Sequence, residues 1–114
     1  WLAGFSFGAR VGLGVGIADP RVSKLIGVGL AVRMFDLGFL HDPRGDKPLG
    51  VVQATEDEYG ARDEIEPFVS RIPEPKQLWL LGGATHLFPG KLDELESVLH
   101  TTIDWLEGFP EPQK

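Results

Sequence analysis

No cysteine occurs anywhere in the 114 residues. That absence excludes disulfides, thiolate metal sites and a cysteine nucleophile, and it suits a cytoplasmic protein. Histidine is also scarce, with three residues and no clustered spacing, so the chain carries no zinc signature and no metal or other cofactor is expected. Long apolar runs are missing too. Residues 11–18 and 25–32 are apolar but short and glycine-rich, well under the roughly 18–20 residues that span a bilayer. Positive charge is sparse: the eleven Lys and Arg are scattered singly and the net charge is −6. Without a basic stripe, neither nucleic acid nor an anionic membrane is an expected partner. The chain opens at Trp1, inside an apolar strand and without an initiator methionine, and so reads as a fragment.

Hydrophobic content of 42% and charged content of 25% are enough for an ordinary globular core. Lys24–Val32, Leu49–Ala54 and Gln77–Leu81 read as strands, with Trp1, Leu2 and Ala3 as the tail of an earlier one. They run nearly continuously apolar, the pattern of strands covered on both faces. Leu92, Leu95, Leu99, Ile103 and Leu106 share one face of a helix. Asp93, Glu94 and Glu96 lie in its first turns, where the dipole favours acids, and Gly108 and Pro110 form its stop. Ile65, Phe68, Val69 and Ile72 suggest another helix, in which Pro67 fits only the first turn. In Ala9–Ala18, Val11, Leu13, Val15 and Ile17 alternate with glycines. Period alone favours a strand there, but the preceding motif requires a helix. Strands alternating with helices predict an α/β fold with a mostly parallel sheet and helices on both faces. Residues 1–108 form part of a single domain, residues 33–48 a long loop, and residues 109–114 a frayed tail.

The chemistry-bearing motif is Gly4-Phe5-Ser6-Phe7-Gly8. A serine in a sharp strand-to-helix turn projects its hydroxyl above the sheet, and flanking glycines admit close approach of the chain. The Phe7 N–H, at the start of the helix, would contribute to an oxyanion hole. The pentapeptide by itself also fits a tight turn with no chemistry. A serine nucleophile needs a base, and the base needs an orienting acid. Asp57 follows the strand Leu49–Ala54 and His86 follows the strand ending at Leu81. Active sites of open parallel sheets form at such carboxyl ends. Separations of 51 and 29 residues leave room for the intervening units to return the chain to one edge. Glu56 and Glu58 are rivals for the orienting acid, and His86 also fits a helix-capping role. His41, in the long loop, and His100, in the terminal helix, follow no strand. Arg10 is a surface cation or an anion contact. Phe5 and Phe7 line an acyl pocket or merely pack beside the turn, and Trp79 and Trp105 are core.

With these residues in view, the chain resembles the C-terminal half of an α/β-hydrolase. The match rests on Gly4-Phe5-Ser6-Phe7-Gly8-Ala9, Asp57-Glu58, and Gly83-Ala84-Thr85-His86-Leu87-Phe88, and it extends from Leu2 to about Leu106. It is most similar to small bacterial hydrolases near dienelactone hydrolase and the prolyl-peptidase-like esterases. Dienelactone hydrolases use cysteine, whereas this chain has Ser6. The resemblance implies Ser6 as nucleophile, His86 as base, Asp57 as orienting acid, the Phe7 N–H as one oxyanion donor, and a small acyl compound as substrate. Asp57 is favoured over its acidic neighbours on the family pattern. The resemblance also implies that the first strands and the second oxyanion donor lie outside these residues, so weak activity is expected of the 114-residue chain alone. The alternative is a non-catalytic domain of the same fold used for binding. Peptidase activity is a variant within the hydrolases, and the oligomeric state is left open.

Overall fold

A computed structural model describes residues 1–111. Its elements run β1 (Leu2–Phe5), α1 (Phe7–Ala18), β2 (Leu25–Val28), β3 (Leu49–Ala54), α2 (Arg62–Ser70), β4 (Lys76–Leu81) and α3 (Leu92–Glu107). The strands form one sheet in the order β1-β2-β3-β4, and every pair is parallel. Parallel neighbours require crossovers, so the helices between successive strands must lie on the sheet's faces.

Strand geometry sends successive side chains to opposite faces, and two cores result. Leu25, Leu49 and Val51 pack with Ala9 and Leu13 of α1 and with Ile65 and Val69 of α2. Ile26, Val28, Val52, Ala54 and Leu81 pack with Leu106 of α3 and with Phe88. The central strands are apolar on both sides because both sides are covered. The expected α/β architecture, with helices on both faces, is the one observed.

Local differences from the expected elements have physical causes. β2 ends at Val28, four residues before the expected Val32, because Gly29 takes a left-handed φ of +64° and turns the chain. α1 is helical despite its alternating glycines. A Cβ at Gly16 would lie 2.7 Å from Leu25 Cδ2, so the glycine face lets the helix press onto the sheet. Pro67 sits in the second turn of α2, not the first. The hydrogen bond it cannot donate would have gone to Asp63, and both residues are exposed, where water can serve the free carbonyl. The long loop contains a 3₁₀ turn at Gly38–His41.

Residues 109–111, expected to fray, are docked. Phe109 packs edge-on against Trp105, and its carbonyl accepts a hydrogen bond from the buried Lys24 ammonium at 2.8 Å. Glu111 accepts from Ser23 Oγ at 2.7 Å and pairs with Lys24. Residues 112–114 of the expected tail lie outside the described residues. Among the described residues no helix is long and apolar enough to cross a membrane.

Candidate active site

Ser6 occupies the junction between β1 and α1. Its backbone N–H donates to Val28 O at 3.0 Å, while its carbonyl accepts from the N–H groups of Ala9 and Arg10. Those bonds hold φ at 56° and ψ at −117°, a conformation that costs a non-glycine residue about 1–3 kcal/mol. The turn is possible because Gly4 lacks a side chain: a Cβ there would lie 2.5 Å from Gly8 O and 2.7 Å from Ala9 Cα. Gly8 differs. A Cβ on it would meet no described atom within 4 Å, so the close approach expected of both glycines belongs to Gly4 alone. As the first residue of α1, Phe7 has a backbone N–H with no intrahelical acceptor.

Three side chains from three strand ends meet above the sheet. Ser6 Oγ lies 2.8 Å from His86 Nε2, and His86 Nδ1 lies 2.7 Å from Asp57 Oδ2. The Asp57 and His86 side chains are 0% and 6% exposed. A carboxylate can only accept, so Nδ1 carries the ring proton and Nε2 is free to accept from the serine hydroxyl. Asp57 Oδ1 accepts the Tyr59 N–H at 2.8 Å, which fixes the carboxylate within its own turn.

The imidazole is held on its faces as well as at its nitrogens. Phe5 stacks on it at 5.3 Å between centroids, and Tyr59 meets it edge-on at 5.0 Å. Gly29 backs the ring, since a Cβ there would lie 3.2 Å from His86 Cε1. Phe7 instead points outward, 61% exposed, with its ring 5.5 Å from Phe35.

The other candidates lie elsewhere. His41 Nε2 donates to Phe68 O at 3.0 Å, and His100 is exposed on α3 near Glu96. Arg10 lies over the Phe39 ring at 4.9 Å. Trp79 and Trp105 pack against each other beside the α3 core. Glu56 is exposed. Glu58 accepts from the backbone N–H of His86 rather than from its ring.

Gln53 escaped the sequence reading. It is fully buried in β3, donates to Leu30 O and Gly60 O at 3.0 and 2.9 Å, and accepts from the Leu30 N–H at 2.8 Å. Its amide also approaches Asp57 Oδ2 at 3.5 Å. The available signal was one long polar residue inside the otherwise apolar strand Leu49–Ala54.

This arrangement sits on a fold shared with solved structures. The chain is 33% identical to an α/β serine hydrolase homologue from Coxiella burnetii, with a TM-score of 0.72. The chain belongs to the α/β-hydrolase superfamily. An α/β serine hydrolase without a lid from Xanthomonas campestris is 28% identical with a TM-score of 0.77. A putative α/β-hydrolase from Agrobacterium tumefaciens is 25% identical with a TM-score of 0.80. Each similarity covers 96% of this chain but only 49%, 49% and 53% of the three respective structures. The chain thus spans about half the length of these α/β-hydrolases. No protein-family model matches the chain, and no curated protein does.

Proposed function

We propose that this part of an α/β-hydrolase carries the nucleophile, base and orienting acid of a serine hydrolase that cleaves carboxylic esters or related acyl bonds. The observation that supports this most is the unbroken hydrogen-bonded chain from Ser6 Oγ through His86 to Asp57. Its three members come from turns after β1, β3 and β4, so the fold itself brings them together.

In this reading Ser6 Oγ attacks the substrate carbonyl while His86 Nε2 takes its proton. The tetrahedral oxyanion binds the Phe7 N–H, which the helix start leaves without an intrahelical acceptor. His86 then protonates the leaving alcohol or amine, giving an acyl-serine. Water deprotonated by the same nitrogen releases the acid and restores the serine. Asp57 holds the tautomer and stabilises the imidazolium at each stage. Exposed Phe7, beside the nucleophile, supplies apolar surface for the acyl group, and Phe5 acts through the imidazole it stacks on. The substrate is a small acyl compound, and no cofactor takes part in these steps.

Steady-state hydrolysis of p-nitrophenyl esters by the full-length protein tests the assignment. Asp57→Asn should lower kcat by roughly 10³–10⁴-fold through loss of the productive tautomer, with KM little changed. An Asp57→Asn enzyme within tenfold of wild type would remove Asp57 from the mechanism. Matched p-nitroanilides distinguish an esterase from a peptidase.

A further inference from the structure

The carboxyl ends of β3 and β4 are paired by more than the sheet. Strand pairing ends at Ala54 and Leu81, where two loops bearing Asp57 and His86 would otherwise diverge. Instead the pairing continues in a loose ladder. The Gly83 N–H donates to Thr55 Oγ1 at 3.0 Å, and the Glu56 N–H donates to Ala84 O at 3.0 Å. The last rung is the His86 N–H donating to Glu58 Oε1, also at 3.0 Å.

That last rung differs from the others in where it ends. It fixes the backbone of the residue whose ring lies between Asp57 and Ser6. The segment it holds has little other anchorage on its outer side: Gly82 and Gly83 are exposed, and Leu87 is 71% exposed. Adjacent carboxylates therefore divide the work, Asp57 taking the ring Nδ1 and Glu58 the main chain of the same histidine.

We propose that Glu58 is a positioning residue, setting the His86 backbone so that Nε2 meets the Ser6 hydroxyl. This rests on the serine-hydrolase reading above. Hydrogen bonds from the His86 N–H and then from its own N–H hold the Glu58 carboxyl below the usual carboxylate range, so the acceptor stays ionised at neutral pH. Reactive geometry is demanding: a displacement of about 1 Å can lower a rate roughly 100-fold. Loss of one of several supports for His86 should cost less, about tenfold. Glu58 is solvent-exposed, and its truncation leaves the cores of both faces untouched.

The experiment measures the rate of fluorophosphonate labelling and the melting temperature in the full-length protein, for wild type, Glu58→Ala, Glu58→Gln and Ser6→Ala. Glu58→Ala should label about tenfold more slowly at an unchanged melting temperature. Glu58→Gln keeps an acceptor oxygen and should label within about twofold of wild type. Wild-type labelling by Glu58→Ala, or equal losses in the Ala and Gln variants, overturns the inference. A lowered melting temperature shared by Glu58→Ala and Glu58→Gln, with labelling tracking it, overturns it as well. Ser6→Ala separates the two claims. Labelling that survives in Ser6→Ala defeats the hydrolase reading itself, whereas labelling lost there but normal in Glu58→Ala defeats this inference alone.

Discussion

Gln53 and Leu30 exchange two hydrogen bonds: the side-chain amide donates to Leu30 O at 3.0 Å and its oxygen accepts from the Leu30 N–H at 2.8 Å. Leu30 lies just past the end of β2, where the turn at Gly29 has carried the backbone out of the ladder. A side chain from β3 thus replaces the missing strand pairing, and its remaining proton reaches Gly60 O in the turn that holds Asp57. Replacing it by leucine leaves the Leu30 N–H and Gly60 O without partners, at about 1–3 kcal/mol each, while Leu30 O keeps the Val32 N–H at 3.0 Å. Urea unfolding should show Gln53→Leu destabilised by about 2 kcal/mol or more. A midpoint equal to wild type would mean that water or rearrangement serves these groups.

Strain at Ser6 gives a separate expectation. With φ at 56°, the residue is held where glycine is comfortable and alanine is not. Ser6→Gly and Ser6→Ala both remove the hydroxyl, but only glycine relieves the backbone. Ser6→Gly should therefore be more stable than Ser6→Ala by about 1 kcal/mol in chemical denaturation. Equal stabilities would show that the turn relaxes without help.

The docked tail makes stability depend on acid. Hydrogen bonds from Ser23, Trp1 and Lys24 lower the Glu111 carboxyl from an ordinary 4.5 to about 2. A depressed carboxylate stabilises the folded state fully above its unfolded value and loses that contribution as pH falls through its folded value. Glu111→Gln should melt below wild type at neutral pH. That difference should shrink from about pH 4.5 downward and close near 2. Because the group is exposed, the effect should also weaken with added salt. A difference independent of pH would assign the loss to packing instead.

Much of the fold was legible because burial on both faces leaves a plain mark: Leu49–Ala54 is apolar but for Gln53, and its bounds are those of β3. The apolar run from Lys24 to Val32 was harder to divide. Leu30 and Ala31 are as buried as the strand itself, so hydrophobicity ran on after the backbone had turned at Gly29. The tail misled for the opposite reason. Phe109–Glu111 looks polar and proline-broken, but it docks through Lys24, Ser23 and Trp1, partners 85 or more residues distant that no local pattern reveals. The candidate residues Ser6, Asp57 and His86 could be named because each follows a strand, with the family pattern favouring Asp57 over Glu56 and Glu58. What supports them was less visible. Gln53 acts through backbone groups, and Glu58 was weighed as a rival for the ring, whereas its partner is the His86 main chain.

The most direct test of Ser6 as nucleophile is covalent. The full-length protein, treated with a fluorophosphonate and digested, should carry one phosphonyl group on the peptide containing Ser6. That mass increment should vanish in Ser6→Ala. An adduct mapped to another residue, or labelling that persists in Ser6→Ala, would contradict the account.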